Sequence, residues 1–137
     1  MSITSNLRRQ HTEILALASE IRGALQQDPA GIESIEKLLP ALTGKIKIHL
    51  AMEDNALYPL LLDAAEAETR RLAADYLNEM GNFTVLFAEY HQKWNSRQKI
   101  KDRIDEFSRE TQNILNALTK RITREEQGLY DVADRMK

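Results

Sequence analysis

The chain contains no cysteine among its 137 residues. Disulfide bonds, thiolate metal sites and cysteine catalysis are therefore excluded. Glycine and proline are scarce, at 5 and 3 residues, so long helices are allowed. No stretch alternates apolar and polar residues as a strand would, and no apolar run is long enough to span a bilayer. The N-terminus also lacks a signal-peptide pattern, which predicts a cytoplasmic location.

The charge of the chain is nearly balanced. Lys and Arg number 19 against 21 Asp and Glu, which gives a formal net charge of −2. This balance provides no electrostatic reason to expect binding to nucleic acid or to an anionic membrane. Hydrophobic residues make up 42% of the chain and charged residues 29%, as is typical of a globular protein. At this length, residues 1–137 are predicted to form a single domain.

Apolar residues recur at steps of three and four along four segments, a spacing that is typical of amphipathic helices. The first predicted helix follows the capping candidates Thr4 and Ser5 and ends before a turn at residues 28–31. A junction near residues 63–68 separates the second and third helices, and a basic loop at residues 96–101 precedes the fourth. Four such helices with short connections predict an all-α, up-down-up-down antiparallel four-helix bundle.

One ten-residue motif occurs twice in the chain. Its copies are residues 49–58, HLAMEDNALY, and residues 121–130, RITREEQGLY. Each copy has two adjacent acidic residues and ends in Leu-Tyr, but the first position changes from His49 to Arg121. Because His49 and Glu53 lie one helical turn apart on one face, they can offer an imidazole and a carboxylate to one metal ion.

The spacing of the helices places several polar residues at one depth of the bundle. In an antiparallel helix pair, residues at the same depth are about equally far from the connecting turn. The midpoint between His11 and His49 is Ala30, inside the predicted first turn, so the two imidazoles are expected to face each other. The same reasoning brings Met80 and Arg121 to this level. The carboxylates expected one helical turn away are those of Glu53 and Glu125.

These motifs resemble those of the hemerythrin-like (HHE cation-binding) family, whose members are up-down four-helix bundles that hold a non-haem iron pair in the core. The family pattern has a histidine on the first helix and His-x-x-x-Glu on the second. It continues with a histidine on the third helix and a histidine followed by Glu or Asp on the fourth. The resemblance covers nearly the whole chain. The metal ligands that it implies are His11, His49, Glu53 and Glu125.

Two positions depart from the family pattern. Met80 stands where the third-helix histidine is expected, and Arg121 replaces the fourth-helix histidine. A thioether is a poor ligand for iron, and a protonated guanidinium cannot bind a metal. The remaining two His and two Glu residues can still hold a single Fe, Zn or Mn ion. An oxygen-carrying iron pair is not expected.

Two interpretations of this polar core stay open. In the first, the four residues bind iron or another divalent metal, and the protein senses a diatomic ligand such as dioxygen or nitric oxide. In the second, the core is metal-free, Arg121 bridges Glu53 and Glu125, and the bundle is an interaction or regulatory module. A homo-oligomer is compatible with both. A catalytic role is not predicted, because neither a cysteine nucleophile nor a Gly-rich phosphate loop is present.

His11 has two possible roles, and His91 and the motif tyrosines have one expected role each. His11 is either a metal ligand or a core histidine satisfied by Glu53 or by a water molecule. His91 is predicted to lie at the end of the bundle rather than in the site. Tyr58 and Tyr130, which end the two motif copies, are predicted to pack near helix ends with their hydroxyls directed at polar partners.

Overall fold

Helices form nearly all of the computed structural model, which describes residues 3–27, 31–80 and 82–136, with only the backbone of Met80. Within these ranges no strand occurs. In chain order the helices are α1 (Ile3–Leu25), α2 (Gly31–Met52), α3 (Tyr58–Leu62), α4 (Ala67–Met80), α5 (Asn82–Lys93), α6 (Arg97–Asp102), α7 (Ile104–Arg124) and α8 (Tyr130–Arg135). None of the described helices is both long and apolar enough to cross a membrane.

Four helical rods pack side by side. They are α1, α2 with α3, α4 with α5, and α7 with α8. The second and fourth rods each contain a π-helical turn, at Glu53–Leu57 and at Glu125–Leu129. This arrangement confirms the predicted all-α helical bundle.

A layer of polar residues separates two apolar clusters in the interior. On α1, His11 lies between Ile14, which belongs to the larger cluster, and Leu7, which belongs to the smaller one. The rod formed by α7 and α8 repeats this order, with Glu125 between the two clusters. Each buried aliphatic side chain contributes about 1.5–3 kcal/mol. The two clusters therefore hold the rods together on both sides of the polar layer.

The connection between α1 and α2 brings the two backbones very close. A Cβ at Gly31 would lie 1.8 Å from the carbonyl oxygen of Ala24, so only glycine fits at the start of α2. The Gly31 N–H donates to the carbonyl oxygen of Gln27 at 3.1 Å. Residues 28–30 of the predicted turn, including the midpoint residue Ala30, lie outside the described residues.

The junction between the second and third rods is where the sequence placed it, although it contains neither Gly nor Pro. Helix α3 ends at Leu62 and α4 begins at Ala67. The guanidinium of Arg70 donates to the carbonyl oxygens of Ala64 at 2.7 Å and of Ala65 at 2.9 Å. This one side chain therefore satisfies two backbone carbonyls of the turn.

The prediction of a basic loop at residues 96–101 is wrong, because most of these residues form α6. The hydroxyl oxygen of Ser96 accepts a hydrogen bond from the backbone N–H of Lys99 at 3.3 Å and caps the helix. Ile100 is buried against the larger apolar cluster. This charged segment is therefore helical with a side-chain cap at its start and one apolar anchor.

The capping role predicted for Thr4 and Ser5 is also wrong. Helix α1 already includes Ile3, so both residues lie within its first turn. The hydroxyl of Thr4 is buried and donates to the carboxylate of Asp134 on α8. Thr4 therefore links the first rod to the end of the last one instead of capping α1.

Candidate metal centre

Five His, Glu and Arg side chains are buried together in the polar layer. None is more than 4% exposed. Rods one, two and four supply them, from α1, from the end of α2, from the end of α7 and from the two π turns. Buried charges require partners, because an unpaired ion in an apolar interior is costly. These residues are His11, His49, Glu53, Arg121 and Glu125.

The two copies of the sequence motif adopt the same backbone structure. Each π turn begins at the first glutamate of its copy and ends at the leucine, at Glu53–Leu57 and at Glu125–Leu129. A π turn accommodates one more residue per hydrogen-bonded turn than an α-helix does. In both copies the glutamate, the leucine and the tyrosine that follows are all buried. The repeated motif therefore directs a carboxylate and a phenol from each copy into the core.

The imidazoles of His11 and His49 face each other, as expected from their equal distance from the first turn. Their Nε2 atoms are 2.9 Å apart, and their ring centres are 4.5 Å apart. Two unprotonated nitrogens at this distance would repel each other. A proton or a cation must therefore lie between them.

Arg121 binds both buried carboxylates. Its Nη2 donates to Glu53 Oε1 at 3.0 Å, and its Nε donates to Glu125 Oε2 at 3.3 Å. Its guanidinium carbon also lies 6.0 Å from the ring centre of Phe83, which is within the range of a cation–π contact. The guanidinium thus neutralises part of the negative charge of the layer, as predicted for this residue.

The other oxygen of each carboxylate is directed toward the histidines. Glu53 Oε2 is 3.3 Å from His49 Nε2, and Glu125 Oε1 is 3.4 Å from His11 Nε2. Glu125 Oε1 also lies 4.0 Å from His49 Nε2. Each carboxylate therefore uses one oxygen for Arg121 and presents the second oxygen to the imidazoles.

The donor atoms of His11, His49, Glu53 and Glu125 lie close enough together to hold a metal ion. All four groups have a donor atom within 4.8 Å of the others. At a metal–ligand distance of about 2.1 Å, ligands at right angles are about 3.0 Å apart, and ligands at the tetrahedral angle are about 3.4 Å apart. Three of the donor separations given above, 2.9, 3.4 and 3.3 Å, match these values. Two imidazoles and two carboxylates form a donor set that suits iron, zinc or manganese.

One buried oxygen of this set supports the fit. Glu125 Oε1 makes no hydrogen bond of normal geometry to any described residue. Leaving a buried polar atom without a partner costs about 1–3 kcal/mol. The hydroxyl of Tyr58 is in the same situation within the described ranges. A cation beside Glu125 would give this oxygen a closer partner than the imidazole of His11 at 3.4 Å.

The electrostatics of the layer favour additional positive charge. Burial lowers the pKa of His49, but the nearby carboxylates of Glu125 and Glu53 outweigh this effect and raise it to about 9. Burial tends to raise the pKa of Glu125, but the neighbouring imidazoles and the charge of Arg121 lower it well below the usual range. Burial, together with the charge of Glu125, raises the pKa of Glu53. One guanidinium therefore does not fully compensate two carboxylates, and the layer favours a second positive charge, supplied either by a proton on His49 or by a cation.

Tyr130 lines the site. Its hydroxyl donates to Glu53 Oε2 at 2.6 Å and lies 3.0 Å from His11 Nε2. The ring is stacked on the imidazole of His11, with the ring centres 5.1 Å apart. The predicted polar partner of Tyr130 is thus confirmed. For Tyr58 this prediction is wrong among the described residues, because its buried hydroxyl has no partner there.

Sequence reasoning did not identify three side chains at the outer edges of the two histidines, two of which contact a ring nitrogen directly. Gln10 Oε1 lies 2.8 Å from His49 Nδ1, and Gln10 Nε2 lies 2.9 Å from the sulfur of Met52. Glu126 Oε2 is 3.3 Å from His11 Nδ1. The only available signal was adjacency in sequence, since each of these residues precedes or follows a residue of the polar layer.

Two other residues named from the sequence lie outside this cluster or outside the described atoms. His91 is half-buried and lines a groove of about 440 Å³ together with Ile35 and Trp94, so it is not among the four clustered donors. It lies two residues before the end of α5. The side chain of Met80, expected at the level of the histidines, lies outside the described residues.

Comparison with known proteins agrees with the motif and the bundle. A family model described as the hemerythrin HHE cation-binding domain matches residues 2–133. The match covers almost the entire chain and confirms the resemblance inferred from the motifs. Neither a curated protein nor a solved structure matches this chain.

Proposed function

The chain belongs to the hemerythrin HHE cation-binding domain family, and we propose that it binds one divalent cation in the core of the bundle. Iron is the metal that the family resemblance favours. The proposal rests above all on one observation, the convergence of four buried donor groups within 4.8 Å of one another. The proposed ligands are His11, His49, Glu53 and Glu125.

We propose a single ion because Arg121 takes the position that a second cation would need. In a site with two metals, carboxylates commonly bridge the ions through their two oxygens. Here one oxygen of Glu53 and one oxygen of Glu125 are bound by the guanidinium at 3.0 and 3.3 Å. Only one oxygen of each carboxylate remains for a metal. The fixed charge of Arg121 and one exchangeable metal cation would then balance the negative charge of the two carboxylates.

The surrounding residues would hold the ion and exclude bulk water. The four donor groups are at most 3% exposed, so the site is closed by the bundle. Two imidazoles and two carboxylates do not saturate an octahedral iron ion. Bound iron would therefore supply an open coordination position for a small ligand such as dioxygen or nitric oxide. We propose a role in binding or sensing such a ligand and do not propose a catalytic role.

A metal-free bundle is the second candidate, and one specific observation favours it. Arg121 already binds both carboxylates, and the two imidazoles can share a proton across 2.9 Å. A layer satisfied in this way would need no ion. The domain would then be an interaction or regulatory module in which the internal guanidinium replaces the charge of the metal.

Metal analysis of protein purified without chelators distinguishes the two candidates. The proposed function predicts close to one metal ion per chain, and it predicts that His49→Ala abolishes binding. His91→Ala is the matched control, because His91 lies in the groove and outside the donor cluster. This variant should retain the metal. Protein without metal that also fails to take up added Fe(II) or Zn(II) would support the metal-free module instead.

A further inference from the structure

The outer edge of His49 is held by a pair of side chains that contribute no donor atom to the proposed metal site. Gln10, on α1, places its Oε1 2.8 Å from His49 Nδ1. The amide nitrogen of the same side chain lies 2.9 Å from the sulfur of Met52, at the end of α2. Gln10 and Met52 are both half-buried. Together they form a hydrogen-bonded chain from the surface of the bundle to the imidazole.

The chemistry of Met52 determines the orientation of the Gln10 amide. A thioether sulfur accepts hydrogen bonds but cannot donate them. The NH₂ group of Gln10 must therefore face the sulfur, and the carbonyl oxygen must face His49. If the amide were reversed, its oxygen would face the sulfur, and neither atom could donate.

The carbonyl oxygen of Gln10 in turn determines which nitrogen of His49 keeps its proton. An amide oxygen only accepts, so His49 Nδ1 must carry the hydrogen in this contact. When the imidazole is neutral, its lone pair is then on Nε2. That atom is the one directed at His11 Nε2, at 2.9 Å, and at Glu53 Oε2, at 3.3 Å.

We propose that Gln10 and Met52 are positioning residues that keep His49 in the tautomer able to bind a metal through Nε2. This inference rests on the proposed cation-binding function. Without an acceptor at Nδ1, the proton of the neutral ring can move to Nε2, where it blocks coordination. The imidazole ring can also rotate more freely. Partners of this kind typically change metal affinity by about 10–100-fold when they are removed.

Zn(II) affinity, measured by competition with a chromophoric chelator, tests the assignment. Gln10→Met has nearly the same length but no acceptor oxygen, and it should weaken Zn(II) binding by about 10–100-fold. Gln10→Glu retains an acceptor oxygen and should keep the affinity of the wild type. Met52→Leu removes only the group that orients the amide and should give a smaller loss. Gln92→Met, on an exposed position of α5, is the matched control and should bind as the wild type does.

A second measurement separates positioning from a general effect on the fold. In the metal-free protein the melting temperature should fall in Gln10→Met only by the loss of one part-buried hydrogen bond, and it should be nearly unchanged in Gln10→Glu, which keeps an acceptor oxygen. Nitrogen NMR of the Zn(II)-loaded protein should show a proton on His49 Nδ1 in the wild type. Equal Zn(II) affinity for wild type and Gln10→Met would overturn the positioning role while leaving the metal site intact. A wild-type protein that does not bind Zn(II), Fe(II) or Mn(II) would instead overturn the proposed function itself.

Discussion

Arg121 is a permanent charge in the interior, and the stability of the layer depends on it. Its guanidinium is 4% exposed and binds Glu53 and Glu125 at 3.0 and 3.3 Å. A buried ion pair adds little stability compared with apolar residues that fill the same space. Removal of one partner alone is nevertheless strongly destabilising, because it leaves the other charge buried and unpaired.

Arg121→Ala should therefore lower the free energy of unfolding by about 3–5 kcal/mol in metal-depleted protein. Urea denaturation would measure this loss. Arg124→Ala, three residues further along, is the matched control. Arg124 binds Glu79 at 2.8 Å with both side chains about two-fifths exposed, and such a surface pair contributes about 0–1 kcal/mol. If the two variants lost equal stability, Arg121 could not be the internal counter-ion of the two carboxylates.

At the scale of the element, a glycine in the second π turn lies against another rod. A Cβ at Gly128 would lie 2.2 Å from the hydroxyl oxygen of Tyr76 on α4. That hydroxyl donates to the carbonyl oxygen of Arg124 at 3.1 Å, just before the π turn. Tyr76 is buried, so it has little room to move away. The absence of a side chain at Gly128 allows this hydrogen bond between rods.

Gly128→Ala should destabilise the protein by about 1–3 kcal/mol, as expected for overpacking in a well-packed region. Thermal denaturation of the single variant and of Gly128→Ala combined with Tyr76→Phe would measure the effect. In the Tyr76→Phe background the hydroxyl is absent, and the loss should be clearly smaller. Gly44→Ala is the control, because its Cβ would meet nothing within 4 Å and helical Gly→Ala stabilises by about 0.5–1 kcal/mol. Additive effects of the two changes would contradict the proposed contact.

Comparison of individual elements shows why some features follow from sequence and others do not. The approach of His11 and His49 was predictable, because it requires only two antiparallel helices and a short turn. The π turns were not predictable, since a shift of hydrogen-bonding register leaves no mark in composition. The contacts of Gln10 and Met52 were missed because both residues lie off the apolar stripes that define the helices. Side chains beside an apolar stripe are positioned by packing between rods, which the sequence of one helix does not show.

On the scale of the whole molecule, the polar layer interrupts the apolar core of the bundle. It lies between two apolar clusters and carries buried charge that Arg121 compensates only in part. A ligand that binds this layer in the folded state, but not in the unfolded chain, must stabilise the whole bundle. Metal binding should therefore be visible as a change in global stability as well as in local spectroscopy.

Free Zn(II) or Fe(II) at 100 times its dissociation constant should stabilise the protein by about 2.7 kcal/mol. The melting temperature should then rise by several degrees, because 1 kcal/mol shifts it by about 2–8 °C in domains near this size. His49→Ala should abolish this rise, because it removes one of the four donors, whereas His91→Ala should leave it intact. Calorimetry at several metal concentrations would test both, since a bound metal makes the melting temperature depend on its concentration. A rise of equal size in His49→Ala would mean that the metal stabilises the protein from another place, and the four-donor site would have to be abandoned.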